Sequence, residues 1–94
     1  MTYVPRPLDT TDVSLPAPLL ARIELLARNV HDTWAQLHVV RGWRYGPHLD
    51  EVKKEHPSLV PYDELPEYAK EYDRNVALQT VKAVLALGFR IETA

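Results

Sequence analysis

The apolar positions form two stripes of helical period, separated by a stretch of about twenty residues in which no such period runs. Leu19, Ile23, Leu26, Val30, Trp34 and Leu37 recur at spacings of three and four, with Arg41 in register. They predict one helix from about Ala17 to Arg41. Pro16 suits its first turn, where the N–H groups have no intrahelical partner, and Gly42 can supply the left-handed residue that closes it. Arg22, Arg28, Asp32 and Gln36 fall off the stripe and are expected in solvent. The second stripe, Val76 or Ala77, Leu78, Val81, Val84 and Leu85, predicts a helix capped by Asp73 and ended by Gly88. Before it, Asp63-Glu-Leu-Pro66-Glu predicts a short helical turn to about Glu71, with acidic residues where the helix dipole favours them.

The ends read differently. Pro5, Pro7 and Pro16 lie among Tyr3, Val4, Leu8 and Val13, which suits an extended arm. Tyr3-Val4 and Arg90-Ile91, where Phe89 and Ile91 alternate with polar residues, are candidates for a short terminal β-strand pair. The expected fold is mainly α (α+β): two long helices, a short helical turn and a long structured central loop, in one domain over residues 1–94. At 94 residues a second core is improbable, and the chain buries roughly two-thirds of the surface it exposes unfolded.

The central stretch, Gly42-Trp-Arg-Tyr-Gly-Pro47 through Lys53-Lys54 to His56-Pro-Ser-Leu-Val-Pro-Tyr62, holds two of the three Gly, three of the eight Pro and one of the two Trp. Long irregular segments in a compact domain are usually functional, so binding residues are sought here. Trp43 belongs to neither stripe, which leaves it as a lid over the helices or as an aromatic platform for a flat ring. Tyr45 and Tyr62 flank it. Lys53, Lys54 and His56 are the natural partners of a phosphate or carboxylate, although Asp50, Glu51 and Glu55 among them make a mixed, solvated surface the simpler reading. Arg74 and Asn75, at the expected start of the second long helix, sit where free N–H groups favour an anion. Trp34, in register with the first stripe, reads as core.

Charge and composition narrow the classes. A net charge of −2 lacks the one-sided basic excess that nucleic-acid binding needs. There is no Cys, hence no disulfide framework, thiolate metal site or thiol nucleophile. No apolar run nears the roughly eighteen residues that span a bilayer, and no signal peptide opens the chain, so a cytoplasmic protein without a membrane partner is expected. His31 and His38, seven apart, are too far along a helix for an i, i+4 ligand pair. His31 is expected to be hydrogen-bonded within the fold and His56 to shape the turn at Pro57. No Gly-rich phosphate loop and no Gly-x-Ser-x-Gly is present, so the chain does not read as an enzyme, and no cofactor is implied.

Several separated motifs, in order, resemble the ryanodine-receptor (RyR) repeat domain: Tyr3-Val-Pro-Arg-Pro7, Asn29-Val-His31-Asp-x-Trp34-Ala, Gly42-Trp-x-Tyr-Gly-Pro47, His56-Pro-x-Leu-Val-Pro-Tyr62, Tyr72-Asp-Arg-Asn75 and Leu85-Ala-Leu-Gly88. The resemblance covers nearly the whole chain and is to the single-repeat type of bacteria and phages. It implies a few helices with short strands. It also implies that Trp43 takes the role of an aromatic that, in the paired receptor repeats, faces a cleft accepting nucleotides and drug-like aromatics. A second repeat is missing, so a site between repeats requires self-association, and without a channel segment calcium conduction does not carry over. Two functions therefore stand side by side. One is a non-catalytic small-ligand or nucleotide-sensing domain using Trp43, Tyr45, Lys53, His56, Arg74 and Asn75. The other is a protein-interaction or dimerisation module with no small ligand.

Overall fold

The computed structural model describes residues 2–94. Its elements are helix α1 (Ala17–Leu20), helix α2 (Ile23–Val40), strands β1 (Arg44–Tyr45) and β2 (Glu55–His56), a 3₁₀ turn (Tyr62–Glu64) and helix α3 (Glu67–Ala86). The two long helices, the short helical turn and the structured central loop follow the hydrophobic pattern, and the fold is mainly α with a small β component. Among the described residues no helix is long and apolar enough to cross a membrane.

Four details depart from the sequence reading. The helix expected to begin at Ala17 is interrupted at Ala21–Arg22, where the Arg22 N–H bonds the carbonyl of Leu19, three residues back, at 2.9 Å. That tighter bond ends α1 and re-aims the chain into α2. The buried face of α2 is also rotated from the predicted stripe: Ala27 and His31 are buried, whereas Leu37 is exposed. The turn near Asp63 stops at Glu64, and α3 then runs unbroken from Glu67 with Pro66 as its N-cap residue. Asp73 is therefore a buried residue inside the helix rather than its cap. Pro66 sets the start because a proline before the first turn forgoes an N–H that would have no partner there. Finally, Tyr3-Val4 and Arg90-Ile91 form no strand. The sheet lies in the central loop, where Arg44 pairs with Glu55 and Tyr45 with His56 in parallel register.

The core joins α2, the 3₁₀ turn and α3. Ala27, Tyr62 and Leu65 are buried together, with Val60 and Ala69 packed against them. Ala27 is the small residue that lets the Tyr62 ring reach α2. The ring is flanked by the Arg28 guanidinium, 5.1 Å from its centroid, and the Lys70 ammonium at 5.8 Å. Its hydroxyl donates to Glu24 Oε1 at 2.8 Å, which supplies the partner a buried phenol requires.

The central loop is shaped by its own backbone. Gly42 and Gly88 are left-handed, with φ of +89° and +99°, and close α2 and α3. Asp50 Oδ1 accepts the N–H groups of Val52 and Lys53 at 3.0 Å each, and Asp50 exchanges backbone bonds with Glu55 at 2.9 Å. Lys54 adopts φ +56° and donates its ammonium to the Arg41 carbonyl at 2.9 Å, which satisfies an otherwise open carbonyl at the end of α2. The arm from residue 2 to 14 has no regular structure; its link to α3 is Thr10 Oγ1 donating to Gln79 Oε1 at 2.9 Å.

Candidate functional site

A cavity of about 320 Å³ opens between α2 and the first two turns of α3. Its lining is mostly apolar and aromatic: Trp34 from α2, with Leu65, Tyr68, Ala69 and Tyr72 from the turn and helix opposite. Tyr68 and Tyr72 are one helical turn apart, and so are Ala69 and Asp73, so a tyrosine pair and an alanine–aspartate pair line neighbouring rows of α3. The small Ala69 leaves the space. The two tyrosines are 80% and 70% exposed and form the outer rim. Ser58, His31 and Asp73 supply the polar groups.

The floor is polar and buried. His31 Nε2 donates to the Val60 carbonyl at 2.7 Å, as a buried imidazole on an apolar face should, leaving Nδ1 turned toward Asp73 Oδ2 at 4.0 Å. That separation is too long for a hydrogen bond. Among the described residues no donor reaches the Asp73 carboxylate; the residue is 9% exposed and its oxygens keep contact with solvent. Burial pushes its carboxyl up from the usual range, and the nearby His31 partly offsets this.

The residues predicted from the loop gather elsewhere. Trp43 is half-buried, edge-on to His38 at 5.3 Å and 6.3 Å from His56. Trp34 contacts the same two histidines, at 4.3 and 4.8 Å, and stacks on His31 at 5.7 Å. The two tryptophans are thus ends of one ring cluster: Trp34 faces the cavity, while Trp43 packs behind it. His38 Nδ1 donates to the Trp34 carbonyl at 2.9 Å, and His56 Nδ1 accepts the Ser58 N–H at 3.0 Å. Burial, and then the proximity of His38, lower the His56 pKa, so the accepting, neutral ring is favoured. Tyr45 and Lys53 are exposed on the loop and do not line the cavity.

Arg74 and Asn75 lie more than one turn inside α3, not at its start, so their N–H groups are spent within the helix. The Arg74 guanidinium is held by three carboxylates: Glu24 at 2.8 and 3.1 Å, Glu67 at 2.6 Å and Glu71 at 3.2 Å. These partners raise its pKa, and in return the Arg74 and Tyr62 hydrogen bonds pull Glu24 down to about 2. An anionic ligand would have to displace carboxylates already in place. Asn75 is exposed. Among the described residues no group of three or more His, Asp or Glu converges as a metal site.

Sequence reasoning did not single out Tyr68, Tyr72 or Asp73 for the cavity and assigned Trp34 to the core alone. The signal available was the pair of i, i+4 spacings after Pro66, which are visible only if the helix is taken to start there.

A family model described as the RyR domain matches residues 3–93. The chain belongs to the RyR domain family. In this RyR domain the motif residues divide between the two places just described: His31, Trp34, Tyr72 and Asp73 line the cavity, and Trp43, Gly46 and His56 build the loop behind it.

Proposed function

We propose that this RyR domain is a non-catalytic module that binds a small molecule carrying a flat, nucleobase-like ring, seated against Trp34 between Tyr68 and Tyr72. The observation that carries the reading is the aromatic-walled cavity of about 320 Å³ with polar groups at its floor. That is the usual composition of a small-ligand site and near its lower size limit of about 300 Å³. Trp43 acts in this reading as the brace that holds Trp34 through His38 and His56. Ser58, His31 and Asp73 invite comparison with a hydrolytic triad. In such a triad the ring nitrogen remote from the carboxylate takes the serine proton. Here that nitrogen, Nε2, already donates to the Val60 carbonyl at 2.7 Å, which favours binding over catalysis.

The test is a panel of purines and other flat heteroaromatics titrated into the purified chain, repeated with Tyr68→Ala and Tyr72→Ala. Stacking is worth about 1–3 kcal/mol per ring, so each variant should weaken a bound ring by roughly five- to a hundredfold. Both should melt within about 4 °C of the parent, because surface substitutions cost within about 0.5 kcal/mol. Unchanged affinity in both variants would place the ligand elsewhere.

A second reading is self-association with no small ligand. It is favoured by apolar side chains left in solvent on the end of α2 and the loop, Leu37, Val40, Tyr45, Leu49 and Val52, the last 95% exposed.

A further inference from the structure

Resting on that reading of the cavity, we infer that the ring this domain selects carries a positively charged nitrogen, whose N–H groups bridge Asp73 and His31 at the cavity floor. The cavity offers acceptors and no cation. The Asp73 residue is largely buried, its carboxylate has no donor among the described residues and keeps contact with solvent, and His31 Nδ1 faces it at 4.0 Å with its other nitrogen committed to Val60. Two acceptors at that distance suit one nitrogen bearing two N–H groups, placed at hydrogen-bonding distance from both. An amidinium or protonated amine does this and offsets the Asp73 charge; an uncharged ring edge without a donor would take both groups out of water with no partner, which is costly.

The walls and the surrounding charges agree. Trp and Tyr faces attract cations through their ring quadrupoles, and Trp34, Tyr68 and Tyr72 surround the opening. The cations that could draw an anion are engaged elsewhere. Arg74 is held by Glu24, Glu67 and Glu71, Arg28 pairs with Asp63 at 2.8 Å, and Lys70 lies over the Tyr62 ring. Among the described residues no Lys or Arg lines the cavity. A phosphate or carboxylate would therefore meet Asp73 with no Lys or Arg to offset the repulsion. A cationic ligand in this cavity has the opposite charge to the anionic one expected near Lys53, His56 and Arg74.

Three probes with the same ring separate charge from shape: benzamidine, benzamide and benzoate, titrated into the full chain by NMR at neutral pH. Benzamidine should bind at least tenfold more tightly than benzamide, with benzoate weakest, and Asp73→Asn should bring benzamidine to within threefold of benzamide. A benzamidine advantage below tenfold, or benzoate binding as well as benzamide, overturns the inference. If the three rings bind alike and still shift the Tyr68 and Tyr72 resonances, the cavity remains a ring site and only its charge preference falls. If none of the three shifts those resonances, the cavity reading falls with it. Should Asp73→Asn not fold, the comparison of the three probes on the parent chain decides alone.

Discussion

Gly46 is the glycine with the least room for a side chain. A Cβ placed on it would lie 2.5 Å from Glu55 Cβ and 2.7 Å from Glu55 Oε1, inside any real contact. Glu55 cannot simply turn away: its backbone is bonded to Asp50 and its carboxylate to Arg44 at 3.2 Å. Gly46→Ala should therefore push β1 from β2 at a cost of about 1–3 kcal/mol, as overpacking does. A thermal melt should show this as a drop of at least about 5 °C, and an unchanged melt would mean that the strands separate freely. Residues of this kind set the limit of what could be read from sequence. Gly42 and Gly88 were legible as helix closers because their role is local, a left-handed residue after an apolar stripe. The demand on Gly46 arises from a side chain nine positions onward, and no period announces it. Asp73 was misread for a related reason. An aspartate before a helical stripe looks like a cap, and only its burial against α2 makes it a floor. Trp34 showed its apolar face in the sequence but not the cavity on its far side.

At the scale of elements, both long helices and the loop between them were legible, because a three-to-four period persists through packing that the sequence does not describe. What holds the two helices in register was not. The ion cluster at Arg74 ties Glu24, near the start of α2, to Glu67 and Glu71 on α3. The charged groups are largely in solvent, so the contribution is small, but its pH dependence has a definite sign. Glu24 is pulled from its ordinary 4.5 to about 2. A carboxylate depressed in the folded state contributes stability that is complete above about pH 4.5 and disappears as pH falls toward 2. Arg74→Met should lower the melting temperature slightly at neutral pH and flatten its fall between pH 4.5 and 2. Parallel acid limbs for parent and variant would show that the cluster contributes nothing measurable.

For the whole molecule, the surface is the informative quantity. A folded monomer of 10.8 kDa is expected to expose about 5500 Å², and this chain exposes 7532 Å². Its radius of gyration is 16.0 Å, against about 12 Å for a compact domain of this length. The excess exceeds the roughly 800 Å² that each partner gives to a standard interface. Part of it is the arm, and part is the apolar set around Leu37, Val40, Tyr45, Leu49 and Val52. Sedimentation equilibrium at high protein concentration should return twice the chain mass, and Val52→Lys with Val40→Lys should return the chain mass. A monomer for the parent would assign the excess surface to the arm and the open cavity. The arm has its own consequence for how the chain ages in solution. Between residues 2 and 8 no backbone amide finds an acceptor among the described residues, so a protease meets these bonds before any in the helices. Yet the basic cleavage point there, Arg6, is followed by Pro7, whose ring blocks the extended fit that trypsin-like enzymes need. The first cuts therefore fall at Tyr3 or Leu8, to enzymes that prefer large apolar side chains, and they release the segment before the Thr10 tether while leaving the helices whole.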